Sequence, residues 1–188
     1  MNEMMKKKEA GSAIGYVVMF TVALLMVVLT LYLAQVAKLM THQHHIDDSL
    51  ADAVLASLVA DDVYYFETGE MTGTPVIRFQ SVDESHRIFM DCMNDAIADT
   101  NGFYYNFAFD EFICYEVEGG SIRITSYSGA AGTRNVRSGS VGSVRTPNGE
   151  VVRETSAYGR VKFDIENIID KSLLTKSKDI YCTLEINN

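Results

Sequence analysis

AGSAIGYVVMFTVALLMVVLTLYLAQVA, residues 10–37, is the stretch on which the fold turns. It contains no Asp, Glu, Lys, Arg or His. As a helix rising about 1.5 Å per residue it would reach roughly 42 Å, against a bilayer hydrocarbon core of about 30 Å. Between Ile14 and Val36 the polar interruptions are Thr21, Thr30 and Gln35, and a Thr hydroxyl can bond back to its own helix. Residues 13–37 therefore read as a transmembrane helix. A secretory signal core, at about 7–15 apolar residues, is shorter. Lys6, Lys7 and Lys8 precede the run and a single Lys38 follows it. The excess of positive charge makes residues 1–12 a basic cytoplasmic leader and sends the rest of the chain to the exterior.

The whole chain has 188 residues, enough for one domain with an appendage. It carries 16 Lys+Arg against 25 Asp+Glu, a formal charge of −9. That balance excludes a general nucleic-acid binder, because phosphates demand a basic surface. A hydrophobic share of 47% excludes wholesale disorder.

Beyond the span the apolar residues change to helical spacing. Ile46, Leu50, Val54 and Leu58 recur at every fourth position, with Ala53 and Ser57 beside them. Asp47, Asp48, Asp52, Asp61 and Asp62 take the other faces. This is one stripe of an amphipathic helix over residues 38–67. No Pro or Gly separates Tyr16 from Glu67, so the spacing predicts one continuous helix. Its stripe packs against its own head domain, against neighbouring copies, or both.

Residues 68–188 read as an extracellular β-rich head, giving an α+β protein overall. Ser81 and Glu84 have capping-box spacing. They open a helix whose apolar face is Ile88, Phe89, Cys92, Met93, Ala96 and Ile97, ended by Asn101-Gly102. Strands are expected at 76–79, 103–109, 112–117, 122–127, 141–146, 151–156 and 161–166, with a last one through Ile180, Cys182, Leu184 and Ile186. In the first long run Phe103, Tyr105, Phe107 and Phe109 alternate with Tyr104, Asn106 and Ala108. Residues 128–143, rich in Gly and Ser, read as an exposed loop, and Pro147-Asn148-Gly149 as a turn. Residues 167–178 fit either a short helix or a loop. The head is thus an antiparallel sheet of about five to seven strands with one packed helix.

Charge divides the head. Residues 46–122 hold sixteen acids against Arg78 and Arg87, whereas residues 123–162 hold seven bases, Arg134 and Arg137 among them, against Glu150 and Glu154. Opposite patches of this kind can attract repeating subunits head to tail, or form an ordinary solvated surface. The chemistry-bearing residues are sparse. His42, His44, His45 and Asp48 sit at near one-turn spacings just outside the span, a weak pattern for a metal, since a site needs more than two helical ligands. An interfacial segment that gains charge at mildly acidic pH is the plainer reading. Cys92, Cys114 and Cys182 are far apart and odd in number, so at most one bridge can form, and buried small-hydrophobe duty is the default. No phosphate loop, nucleophile elbow or paired-carboxylate signature is present. The expectation is therefore a protein that is not an enzyme and needs no cofactor.

The basic leader, long apolar helix, amphipathic continuation and β-rich head together resemble a type IV-filament subunit. The chain is most similar to the tight-adherence (Tad) pilus minor pilins, the TadE/TadF-like group, over about its first 60 residues. Lys6-Lys7-Lys8-Glu9-Ala10-Gly11-Ser12 resembles that group's leader, and Asp47 to Ala60, DDSLADAVLASLVA, its Ala-rich, Asp-bearing helix. The resemblance implies a non-enzymatic structural or assembly subunit of a surface filament. Its partners would be membrane lipid, other pilin-like subunits, the assembly machinery and a prepilin peptidase. Cleavage is implied after Gly11, making Ser12 the new terminus. Tyr16 stands where the family carries Glu, and the family's early Pro is missing. Interaction residues on this reading are Ile46, Leu50, Val54, Leu58, Arg134 and Arg137. The alternative function is a single-pass membrane-anchored binding module that presents its loop 128–143 or its basic strands to a ligand.

Overall fold

A computed structural model describes residues 2–100, 102–167 and 170–185. Three helices precede five strands: α1 (Asn2–Ser57), α2 (Asp62–Thr72), α3 (Val82–Ala98), β1 (Tyr105–Glu118), β2 (Ser121–Ser128), β3 (Thr133–Ser140), β4 (Ser156–Glu166) and β5 (Leu173–Thr183). The strands form one antiparallel sheet in the order β3-β2-β1-β4-β5. The α+β expectation holds. The chain divides into two compact units, Met1–Gln43 and His44–Asn188. The first is apolar helix, and the second carries the sheet.

Both faces of the sheet are covered. On one, Phe112 of β1 lies opposite Gly159 of β4 and Tyr127 of β2, and the helices sit above them. Phe89 of α3 stacks on Phe112 with centroids 4.7 Å apart, and His86 stacks on Tyr127 at 4.2 Å. On the other face Ile113, Tyr115, Ile122, Ile124 and Tyr158 form a second core closed by Val152. The covering segment is forced by topology. β3 lies at one edge while β4 pairs with β1, so residues 141–155 must cross two strands. They cross with Val144 and Val152 turned onto the sheet, leaving Arg145 and Arg153 exposed.

The predicted continuous helix to Glu67 is broken at Ser57. The break needs no Gly or Pro; local bonds and a tertiary pairing make it. Ser57 Oγ donates to Val54 O (2.6 Å) and Leu58 N to Leu55 O (3.1 Å), tightening the last turn. Residues 59–61 then pair with 78–80: Asp61 N donates to Arg78 O, Gln80 N to Val59 O, and Ala60 bridges Phe79. Asp61 restarts the chain as the N-cap of α2, accepting from Tyr64 N at 3.1 Å. This is an ordinary cap for a carboxylate.

Other expectations also change. Residues 76–79 form only that single bridge, not a strand. Residues 103–109 and 112–117 are not two strands but one, β1, and its alternation is interrupted by register shifts between Tyr105 and Ala108 and between Phe109 and Glu111. Asn106 stands there at φ 48° and donates through Nδ2 to Asp164 Oδ2 at 2.6 Å; a bulge re-aims side chains in this way. The expected loop 128–143 contains strand β3, which is polar apart from Val136, mostly exposed, and held to β2 by main-chain bonds. The expected strands at 141–146 and 151–156 reduce to an Arg145–Val151 bridge flanking the turn, with β4 starting at Ser156. Of the ambiguous residues 167–178, Asn167 N donates to Ser172 O and Lys171 N to Asn167 O, and β5 begins at Leu173; residues 168 and 169 lie outside the described residues. The Ser81 cap is as expected, accepting from Glu84 N at 3.3 Å. Ile186 lies outside the described residues.

Candidate functional site

The apolar half of α1 has no partner in its own unit. Phe20 is 72% exposed, Met19 68% and Leu25 63%. The most apolar stretch reaches a mean hydropathy of 2.6 and none of it is buried. Every main-chain group in a helix interior is satisfied within the helix. Thr21 Oγ1 donates to Val17 O at 2.9 Å and Thr30 Oγ1 to Met26 O at 2.8 Å, so the two hydroxyls are satisfied as well. This is the one described helix long and apolar enough to cross a membrane. Gly11 and Ser12 fall within α1, but their side chains lie outside the described set.

The polar half of α1, from His44 onward, seats on the sheet. Of the predicted stripe, Ile46, Leu50, Ala53, Val54 and Ser57 are buried, while Leu58, past the end of the helix, is half-buried. Packing of an apolar stripe on an apolar sheet face is the main stabilising term for such a helix. Gly159 makes the approach possible. A Cβ built there would lie 2.7 Å from Val54 Cγ2 and 2.9 Å from Phe89 Cε2. α1 and α3 therefore both press on a point of β4 that only hydrogen can fill. An exposed ion pair also ties α1 to β5: Lys178 Nζ lies 2.7 and 2.8 Å from the two carboxylate oxygens of Asp47. Burial, with the Asp47 charge nearby, pushes the Tyr104 hydroxyl up to about 12.

The histidine cluster separates. The His45 ring faces Ala96 O, with Nε2 at 3.4 Å, and is partly buried, whereas His44 and Asp48 are exposed. His42 falls in the other unit. Among the described residues no group of three or more His, Cys, Asp or Glu is placed to hold a metal ion. Cys92, Cys114 and Cys182 are free thiols. Burial pushes the Cys114 thiol well up, which keeps it protonated, and the thiolate is the reactive form.

Much of the basic half of the head is neutralised within the fold. Arg134 pairs with Asp83 at 3.5 Å. Arg160 lies 3.5 Å from Asp110 and 3.9 Å from Glu111, and Lys162 lies 2.7 Å from Asp110. Arg137 is exposed and makes no ion pair among the described residues. An open groove of about 570 Å³ is lined by Arg78, Glu116, Glu118 and Arg123 among others. Its charges are already engaged: Arg78 bonds Asp61 at 2.7 Å and lies over the Tyr64 ring, while Tyr64 OH donates to Glu118. Burial raises the Glu116 carboxyl, and Arg123 opposes that shift.

Sequence reasoning missed Gly159, Lys178 and Asp61. Gly159 and Lys178 act only through neighbours distant in the chain. Asp61-Asp62 did carry a local signal, since Asp is a favoured N-cap. No family model, curated protein or solved structure matches the chain. Its architecture, a long apolar N-terminal helix followed by an antiparallel sheet, is pilin-like.

Proposed function

We propose that the protein is a non-enzymatic structural or assembly subunit of a Tad-like type IV surface filament. One observation carries this reading: an unburied apolar helix, internally satisfied in its hydrogen bonds, leads without a break into the stripe that seats on the head. Such a helix is at home in lipid or packed among copies of itself, and in nothing aqueous. A filament subunit needs both. It waits in the bilayer, and assembly exchanges lipid for neighbouring helices around the same apolar surface. The triple lysine at residues 6–8 orients the N-terminus to the cytoplasm and the head to the exterior. Prepilin peptidase acting after Gly11 would remove that leader, leaving Ser12 at the front of the helix.

The test is fractionation of cells that express the full chain. The protein is expected in the membrane pellet after alkaline carbonate washing, and in a sheared surface fraction together with filament. Mass spectrometry of the sheared product is expected to find Ser12 as its first residue. Release by carbonate, or a head protected from external protease, refutes the membrane topology. A chain found only as an isolated membrane monomer refutes the filament role.

A further inference from the structure

The outward half of α2 differs from the rest of the head surface. Residues advance about 100° around a helix. Asp62, Val63, Phe66, Glu67, Glu70 and Met71 therefore share one half of the circumference, and Tyr64, Tyr65, Thr68 and Gly69 the other. The inner half is tied down: Tyr64 OH donates to Glu118 Oε1 at 3.1 Å, and Thr68 Oγ1 accepts from Val76 N at 2.9 Å. The outer half is bare. Val63 is 67% exposed, Phe66 65% and Met71 85%. Asp62, Glu67 and Glu70 beside them have no ion-pair partner among the described residues. Three large apolar side chains set among three carboxylates form an interaction surface rather than a solvated one.

The chemistry of the face selects its partner. Its carboxylates are repelled by anionic headgroups, so it is a poor lipid surface. It fits a strip that offers exposed apolar side chains beside uncompensated bases. The chain presents one at β3, an edge strand on which Val136 is 46% exposed and its neighbour Arg137 is exposed with no ion pair among the described residues, with Val141, 39% exposed, just past the strand's end. Two chains of charge −9 repel unless acids are set against bases. We propose that the outer face of α2 docks on the β3 edge of a second copy, so that heads repeat with acid against base. The proposal rests on the filament-subunit reading and names the contact that reading leaves open.

The test uses two differently tagged full-length copies expressed together in membranes. One carries the photo-crosslinker p-benzoylphenylalanine in place of Phe66. Light is expected to join it to a peptide within residues 133–141 of the other copy. Glu67→Lys with Glu70→Lys in the first copy should lower that yield at least tenfold, and Arg137→Glu in the second should restore most of it. All three charge positions are exposed, so the fold tolerates them; unchanged carbonate resistance and circular dichroism verify this. Crosslinks confined to lipid, to another protein or to another segment overturn the proposal, as does a yield indifferent to the charge reversals. The sheared-fraction assay separates the two claims. A chain that sediments with filament but forms no such crosslink sinks the docking contact alone, whereas a chain that stays monomeric in the membrane sinks both.

Discussion

Replacing Gly159 with Ala tests the packing of both helices on the sheet at one atom. The added Cβ would lie 2.7 Å from Val54 Cγ2 and 2.9 and 3.2 Å from Phe89 Cε2 and Cζ. Carbon atoms in contact settle at about 3.5–4.0 Å, so α1 and α3 must each retreat by roughly 0.5–1 Å. Neither moves freely: Val54 and Phe89 are fully buried, and Phe89 is stacked on Phe112. Overpacking of this kind costs about 1–3 kcal/mol. The smaller entropy of the unfolded Ala chain returns about 0.4–1 kcal/mol. The net loss should be about 1–2 kcal/mol. With a urea slope of about 1–3 kcal/mol/M, the unfolding midpoint should fall by roughly 0.3–2 M. The assay is urea unfolding of the full chain in detergent, followed by near-ultraviolet circular dichroism of the buried tyrosines. Val54→Ala removes the nearest clashing atom, so the double variant should be more stable than the two single losses predict, by at least about 0.5 kcal/mol. An unchanged or raised midpoint for Gly159→Ala, or strict additivity with Val54→Ala, would refute the close-approach argument.

Lys178→Met removes the clamp on Asp47; because both side chains are over a third exposed, the loss should be about 0.2–1 kcal/mol and should shrink in high salt, as measured by urea midpoints at two ionic strengths. His86 packs against Tyr127 and Phe112, and burial holds its ring below the ordinary histidine range, with Asp83 opposing. The unfolded chain thus takes up the proton first, so this contribution is complete above about pH 6.5 and is lost as pH falls from there toward the lowered folded value; His86→Phe should flatten the urea midpoint between pH 7.5 and 5 relative to wild type. Asp61→Ala removes the cap of α2 and the partner of Arg78; amide exchange across residues 62–66 should accelerate while that of β1 stays unchanged.

What the sequence determined by itself was everything governed by local chemistry. Twenty-eight uncharged residues at 10–37 can satisfy their backbone in lipid only as a helix. Ile46, Leu50, Ala53 and Val54 were bound to face a core wherever one formed, and Ser81 carries cap chemistry that needs no distant partner. The burial of that stripe was legible for the same reason. Only the tertiary structure decided the rest. The helix ends at Ser57 because residues 59–61 pair with 78–80, and no local breaker marks the place. β3 is a strand because β2 offers it a main-chain ladder, while its own side chains, polar except for Val136, carry no period-two signal. Residues 141–155 became the cover of the second core because the strand order placed β2 and β1 between β3 and β4. Gly159 looked like any glycine in a strand until two helices arrived above it. Periodicity and cap chemistry act over a few residues and can be read in order along a chain; pairing partners and close approaches join residues far apart in it, and exist only once the fold has brought them together.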